Sequence, residues 1–179
     1  MVRYVALLQG INVGKTKRVA MSDLKALVEK LGYTDVRTHL NSGNVVFTSP
    51  EKRANDEIAD AIEAAIRSTL GLDVPVVVRA GEEMRAIVDG NPFPEAAADH
   101  KTLHVAFMSA EPDPELVAAM AEVERGEDDY RVVGPNVYLY FPNYLTGATF
   151  KPSGLDKGFG VTATSRNWRT VTRLAELAT

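Results

Sequence analysis

Two short apolar stretches, residues 4–8 and 45–47, constrain this chain more than anything else in it. An unbroken apolar run of that length reads as a strand buried on both faces. The neighbouring strand candidates read differently. Residues 36–40 alternate apolar with polar, which suits an exposed edge, and residues 74–78 contain Pro75, which cannot donate to a sheet ladder and belongs at an edge. Between them lie two helical patterns. Met21, Leu24, Leu27, Val28 and Leu31 recur at helical spacing, with Ser22 as the expected N-cap and Gly32 as the stop. Ile58, Ile62, Ile66 and Leu70 form a second stripe, which Gly71 ends. The order is βαββαβ, the ferredoxin-like unit, whose first and third strands are central and whose second and fourth are edges. The four strand signals agree with that sheet.

The pattern then restarts. A short helix near residues 82–88, the breaking sequence Asn91-Pro-Phe-Pro94 and an acidic, alanine-rich linker to Lys101 come first. A strand at 103–108 follows, then a helix opened by Asp113 and Pro114 with Leu116, Met120 and Val123 on its apolar face. Strands at 130–133 and 137–141 are joined through Gly134-Pro-Asn136, and residues 144–160 read as loop with at most a short helical turn. A last helix carries Trp168, Val171, Leu174 and Leu177, with Trp168 expected in the core. The expected fold class is α+β: two ferredoxin-like βαββα(β) units in tandem, antiparallel sheets with helices packed on them. Residues 1–80 form the first subdomain, 81–101 a helix and linker, and 102–179 a second subdomain lacking its last strand.

Composition narrows the chemistry. The 179 residues include no cysteine, which excludes disulfides, thiolate metal sites and a cysteine nucleophile. No apolar run reaches membrane-spanning length and no signal peptide is visible, so a cytoplasmic protein without membrane contact is expected. The net charge of -4 argues against a dedicated nucleic-acid binder. Its distribution says more: residues 1–48 carry +4, residues 49–130 carry -12 and residues 131–179 carry +4. A basic face results if the two ends meet.

The basic excess of the first segment concentrates in the loop 9–19. Gly10-Ile-Asn-Val-Gly14-Lys15-Thr16 resembles a phosphate-binding P-loop, but that motif needs four residues before Gly-Lys-Ser/Thr, and here there are three. The helix also starts late, and no strand ends in the aspartate that would hold magnesium. What remains is a glycine-rich loop with Lys15, Lys17 and Arg18, a type able to bind anions through amides and side-chain charge. Asn41, Ser42 and Asn44 make a hairpin turn. In the βαββαβ order the first and second strands run parallel, so this turn lies at the same end of the sheet as the loop, and the two polar segments can form one site. Arg166, Arg169 and Arg173, at i, i+3 and i+7, are expected on one side of the last helix, with Arg166 and Asn167 near its N-terminus, where amides favour anions.

Other constellations carry less. His39, His100 and His104 have no metal-ligand spacing, so neither a metal nor a cofactor is expected. Nothing fixes a base beside a particular serine. Sequence-specific RNA recognition is not expected: Tyr4 and Phe47 stand on the central strands, but the third strand lacks the basic and paired aromatic residues of ferredoxin-like RNA-binding domains.

Ala6-Leu-Leu-Gln-Gly-Ile-Asn-Val-Gly14, Asn41-Ser-Gly-Asn-Val-Val-Phe47, Asn91-Pro-Phe-Pro94 and Arg166-Asn-Trp-Arg-Thr-Val-Thr172 together resemble the bacterial family called domain of unknown function 1697. The resemblance implies a two-part ferredoxin-like architecture and no particular activity. The chain departs from the family at Gln9, where arginine is usual, and at Lys15, where a second glycine is frequent. The family's Ser-Lys pair after the 138–141 strand corresponds to Thr146-Gly-Ala-Thr-Phe-Lys151. If those family residues contact an anion, this chain either lacks two contacts or uses Lys15 and Lys151 in their place.

The leading expectation is a binding module for an anionic, phosphate-bearing ligand, a small molecule or a nucleotide. Its candidate residues are Gly10, Asn12, Gly14, Lys15, Lys17, Arg18, Asn41, Ser42, Asn44, Lys151, Arg166 and Asn167. Two alternatives stay open: an enzyme acting on a small phosphorylated metabolite, with Lys15 or Lys151 in an electrostatic role, and a protein-interaction module that uses a sheet edge.

Overall fold

The computed structural model describes residues 1–179. It divides into two units, Met1–Val88 with Arg173–Thr179, and Asp89–Thr172. The segment 81–101, read from sequence as helix and linker, is shared between them.

The first unit runs β1 (Val2–Leu8), α1 (Met21–Lys30), β2 (Thr34–His39), β3 (Asn44–Ser49), α2 (Asn55–Leu70) and β4 (Val76–Ala80), followed by α3 (Gly81–Asp89). Its antiparallel sheet has the order β2-β3-β1-β4, so the two apolar runs are central and the alternating and proline-led strands are edges. Tyr4, Ala6 and Leu8 of β1 and Val45 and Phe47 of β3 pack against Leu24 and Val28 of α1 and Ile58, Ile62 and Ile66 of α2. Each fully buried Val, Leu, Ile or Phe side chain among these contributes about 1.5–3 kcal/mol. Tyr4 and Phe47 stack at 6.0 Å within this core and offer no ring face to a base.

Local sequence sets the ends of these elements. Gly71 closes α2 at φ 68 with its N–H on the Arg67 carbonyl, while Asp56 and Glu57 in the first turn and Arg67 in the last suit the helix dipole. Ser22 is not the N-cap of α1: Ala20 holds that position without a side-chain bond, and Ser22 lies inside the first turn. Edge strand β2 is bulged where Asp35 takes φ 48, which blunts it against further pairing.

The second unit runs β5 (Leu103–Met108), α4 (Pro114–Ala121), β6 (Asp129–Val133), β7 (Asn136–Tyr140), α5 (Leu155–Phe159) and β8 (Ala163–Asn167), and α6 (Trp168–Leu177) follows. Asp113 caps α4 by accepting from Glu115 N at 2.8 Å. Gly134 at φ 55 followed by Pro135 turns β6 into β7; proline's fixed negative φ makes this a type II′ turn. The sheet order is β6-β7-β5-β8, the same topology as the first unit.

Two expectations are corrected here. The second unit does not lack its last strand: β8 pairs antiparallel with β5, from His104↔Asn167 to Met108↔Ala163. Arg166 and Asn167 consequently belong to a strand, and the helical stripe Arg166–Arg169–Arg173 does not exist. Residues 144–160, read as loop with at most a short helical turn, hold two 3-10 turns and the short helix α5, which supplies Leu155 and Phe159 to the core with Ala106, Met108, Leu139 and Phe141.

The repeat extends to one buried residue. Arg79 on β4 faces Val5 of β1, and Arg166 on β8 faces Val105 of β5. Each sends Nη1 to the preceding carbonyl, Val78 O at 2.8 Å and Ser165 O at 2.9 Å. Burial lowers both guanidinium groups to about 10, which leaves them charged at neutral pH.

His104, on β5, is buried beside Phe141 with its Nδ1 unpartnered. Burial, and then the charge of His100, lowers its pKa from 6.5 to about 4. The unfolded chain therefore takes the proton first, and stability is lost as pH falls from 6.5 toward 4. A pH series of urea denaturations should lose on the order of 3 kcal/mol over that window, and His104→Phe should flatten the slope. Gly43 gives a second expectation. At φ 86, an added Cβ would meet Ile11 Cδ1 at 2.7 Å and Leu8 Cβ at 2.8 Å, whereas Gly71 at φ 68 has open space. By urea denaturation Gly43→Ala should cost about 2–4 kcal/mol and Gly71→Ala about 1 kcal/mol.

Candidate functional site

The candidate site is the end of the first sheet where β1 and β2 finish and β4 begins. Three chain segments meet there. The loop after β1 is joined to the turn before β3 by Leu8 N donating to Gly43 O at 2.8 Å and by Asn12 Nδ2 donating to Asn41 O at 2.7 Å. It is joined to the approach to β4 by Gln9 N on Pro75 O at 2.9 Å and Lys17 Nζ on Asp73 O at 2.7 Å. The third segment is absent from the sequence-derived list. The signal for it was topological: β4 runs antiparallel to β1, so it must start where β1 ends.

Within the loop, Gly10, Asn12, Gly14 and Lys17 all take positive φ, at 68, 55, 66 and 48. Glycine and asparagine tolerate that conformation; lysine there costs about 1–2 kcal/mol. Two bonds hold Lys17 in place, its carbonyl accepting from Asn12 N at 3.0 Å and its Nζ reaching Asp73 O. Asn12 itself is a clamp. Its Nδ2 also donates to Val19 O at 2.9 Å, and its Oδ1 accepts from Val19 N at 2.9 Å. These bonds close the loop on itself and occupy both ends of the amide. Asn12 therefore shapes the site instead of contacting a ligand.

Lys15 and Arg18 differ from Asn12. Both are exposed, and neither makes a hydrogen bond or ion pair in the fold, nor does Gly14. The loop contains no acidic residue before Asp23. The carboxylate at its base, Asp73, is engaged by Arg67 Nε at 2.6 Å. α1 starts only at Met21, so Gly14-Lys15-Thr16 does not wrap a helix N-terminus as a P-loop would. In the turn, Asn44 is fully buried and donates to His39 O at 2.7 Å and Ser42 Oγ at 3.1 Å, a structural role. Asn41 and Ser42 are exposed. The pKa of His39 is lowered from its ordinary value by partial burial and then by the charge of Arg173.

The remaining candidates stand in the second unit. Lys151 is exposed and precedes the 3-10 turn Pro152–Gly154. Arg166 is buried, with Nη1 also on Thr164 Oγ1 at 2.8 Å. Asn167 Oδ1 accepts from Thr170 N at 2.9 Å and caps α6.

If Asn12 is the clamp, removing its amide should loosen the loop without touching the core. Asn12→Ala should cost about 1–3 kcal/mol and speed hydrogen exchange at the Val19 amide. Asn12→Gly, which tolerates the positive φ, should show the same loss if hydrogen bonds and not backbone conformation carry the effect.

Comparisons with known proteins agree with this architecture. Over 99% of its length the chain is similar to 99% of the conserved bacterial protein SP0830 from Streptococcus pneumoniae, with a TM-score of 0.76 and 19% identity. At that identity the likeness concerns the fold. A comparison with curated proteins finds no match. No helix is long and apolar enough to cross a membrane. Residues 1–138 match the family described as "Protein of unknown function (DUF1697)", and the chain belongs to that family.

Proposed function

We propose that the loop end of the first unit binds an anionic, phosphate-bearing small molecule or nucleotide. The observation that carries this reading is the pair Lys15 and Arg18, two exposed cations without partners on a loop whose backbone is clamped at Asn12. A clamped loop has already lost most of its conformational freedom, so the ordering cost of binding is reduced. Successive amides around residues in the left-handed region form concavities suited to anions. Lys15, Arg18 and the Gly14 amide would contact the ligand, with Asn41 and Ser42 at the rim. Lys17, whose ammonium is on Asp73 O, adds charge without moving. The reading assumes a cytoplasmic setting, which suits a chain without cysteine. The site holds no arrangement of nucleophile and base, so binding is the activity proposed.

The test is a titration of the isotope-labelled protein with inorganic phosphate and with ADP, followed by amide chemical shifts. Shifts are expected in residues 10–18 and 41–44. They should weaken as salt rises from about 50 to about 300 mM, as an exposed electrostatic contact must. Lys15→Ala and Arg18→Ala should each lower affinity roughly two- to fivefold. Shifts elsewhere, or an affinity untouched by the combined Lys15→Ala, Arg18→Ala variant, would remove the site.

A further inference from the structure

The Asn91-Pro-Phe-Pro94 motif has no part in the loop end of the first unit. In the second unit it builds one wall of a cleft of about 490 Å³. Asn91 grips the backbone of Phe93, accepting from Phe93 N at 2.9 Å and donating to Phe93 O at 3.2 Å. Pro94 then starts the 3-10 turn Pro94–Ala98. The Phe93 ring is stacked on Tyr140 with centroids 5.5 Å apart, and the Arg131 guanidinium lies 5.3 Å from the Phe93 ring. Arg131 is paired with Asp129 at 2.7 Å and is not part of the lining. Asp99 and Thr102 also line the cleft, and Thr102 Oγ1 donates to Asp99 O at 2.8 Å.

The charged residues that line this cleft have one sign. Glu95 and Asp99 line it, and no basic residue does. The Glu95 carboxylate is exposed and makes no hydrogen bond or ion pair in the fold. Asp99 accepts from Lys101 N at 3.1 Å and from the Tyr144 hydroxyl at 3.1 Å, which orients its carboxylate. The sequence that carries these two residues is acidic as well: residues 89–129 contain eleven acidic and two basic residues. A field of one sign focuses oppositely charged ligands into a cleft. The volume lies in the range of small-molecule sites, roughly 300–1,000 Å³. Proline and aromatic walls accept an apolar body, and two carboxylates accept a cationic head.

We propose that this cleft binds a small organic cation, an amine-bearing molecule with an aromatic or aliphatic body. The body lies against Phe93 and Tyr140, and the ammonium group meets Glu95 and Asp99. The site is independent of the anion-binding loop, and its selectivity for charge is opposite.

Phenethylammonium is a suitable probe, with 2-phenylethanol as its neutral counterpart. Titrated into the isotope-labelled full chain, phenethylammonium should shift amides of residues 91–102 and of Tyr140. The neutral counterpart should bind at least about fivefold more weakly, and Glu95→Gln should lower affinity for the cation about threefold. Glu95 is exposed and unpaired, so that variant keeps the fold. Phe93→Ala should remove binding of both probes, while Lys15→Ala should leave both unchanged. The proposal is overturned by any of three results: equal binding of the two probes, an affinity unaffected by the Glu95→Gln, Asp99→Asn double variant, or no shift in this segment up to about 20 mM probe.

Discussion

The first unit depends on the placement of β1 between β3 and β4. A strand buried on both faces has no access to water, so its amides and carbonyls must be satisfied by neighbours on both sides. The antiparallel ladders from Val2↔Ser49 to Leu7↔Asn44 and from Tyr4↔Ala80 to Leu8↔Val76 do this. Once those two registers are fixed, the ends of three connections are fixed with them. The loop after Leu8, the turn before Asn44 and the approach to Val76 arrive at one end of the sheet. Their mutual bonds, Leu8 to Gly43, Gln9 to Pro75 and Asn12 to Asn41, are consequences of that register.

Most of the first unit was legible because its signals are local. Apolar continuity in residues 4–8, alternation in 36–40, Pro75 and the isoleucine stripe of α2 each report one neighbourhood, and they agree. The last strand of the second unit was illegible for the opposite reason. Ala163-Thr-Ser-Arg-Asn167 contains no large apolar residue, and the helical stripe beginning at Trp168 draws the eye past it. What makes it a strand is its partner. β5 is a buried central strand with an unsatisfied side, and pairing with it outweighs the weak intrinsic strand preference of Ala163 and Asn167. Ser22 failed as a cap in a similar way: a suitable residue type stood close to the helix start, but Asn12 holds Val19 so that the helix opens at Ala20.

The loop shows the same division between what a sequence states and what only a fold decides. Charge is legible, because Lys15, Lys17 and Arg18 are charged wherever they stand. Role is not. Asn12 and Lys15 were both candidates for ligand contact, yet the fold spends every polar atom of the Asn12 side chain on Val19 and Asn41 and leaves Lys15 free. Asn44 is likewise consumed by its own turn. Polar side chains that can mimic backbone groups are recruited by turns, and Lys17 is held by the Asp73 carbonyl, whereas Lys15 and Arg18 of the same loop have no acceptor.

The tandem arrangement bears directly on where function can reside. Both units share one strand order, and each buries an arginine at the equivalent place, Arg79 and Arg166. Equivalent positions therefore also exist for the connection after the first strand of each. In the first unit that connection is basic and glycine-rich. In the second it is Ser109-Ala-Glu-Pro-Asp113, without a glycine or a cation, and its aspartate is used to cap α4. If the fold itself made an anion site at this position, the second unit would carry one as well. The same topology instead presents opposite chemistry in its two copies. The anion-binding reading consequently rests on residues 9–19 and not on the ferredoxin-like class.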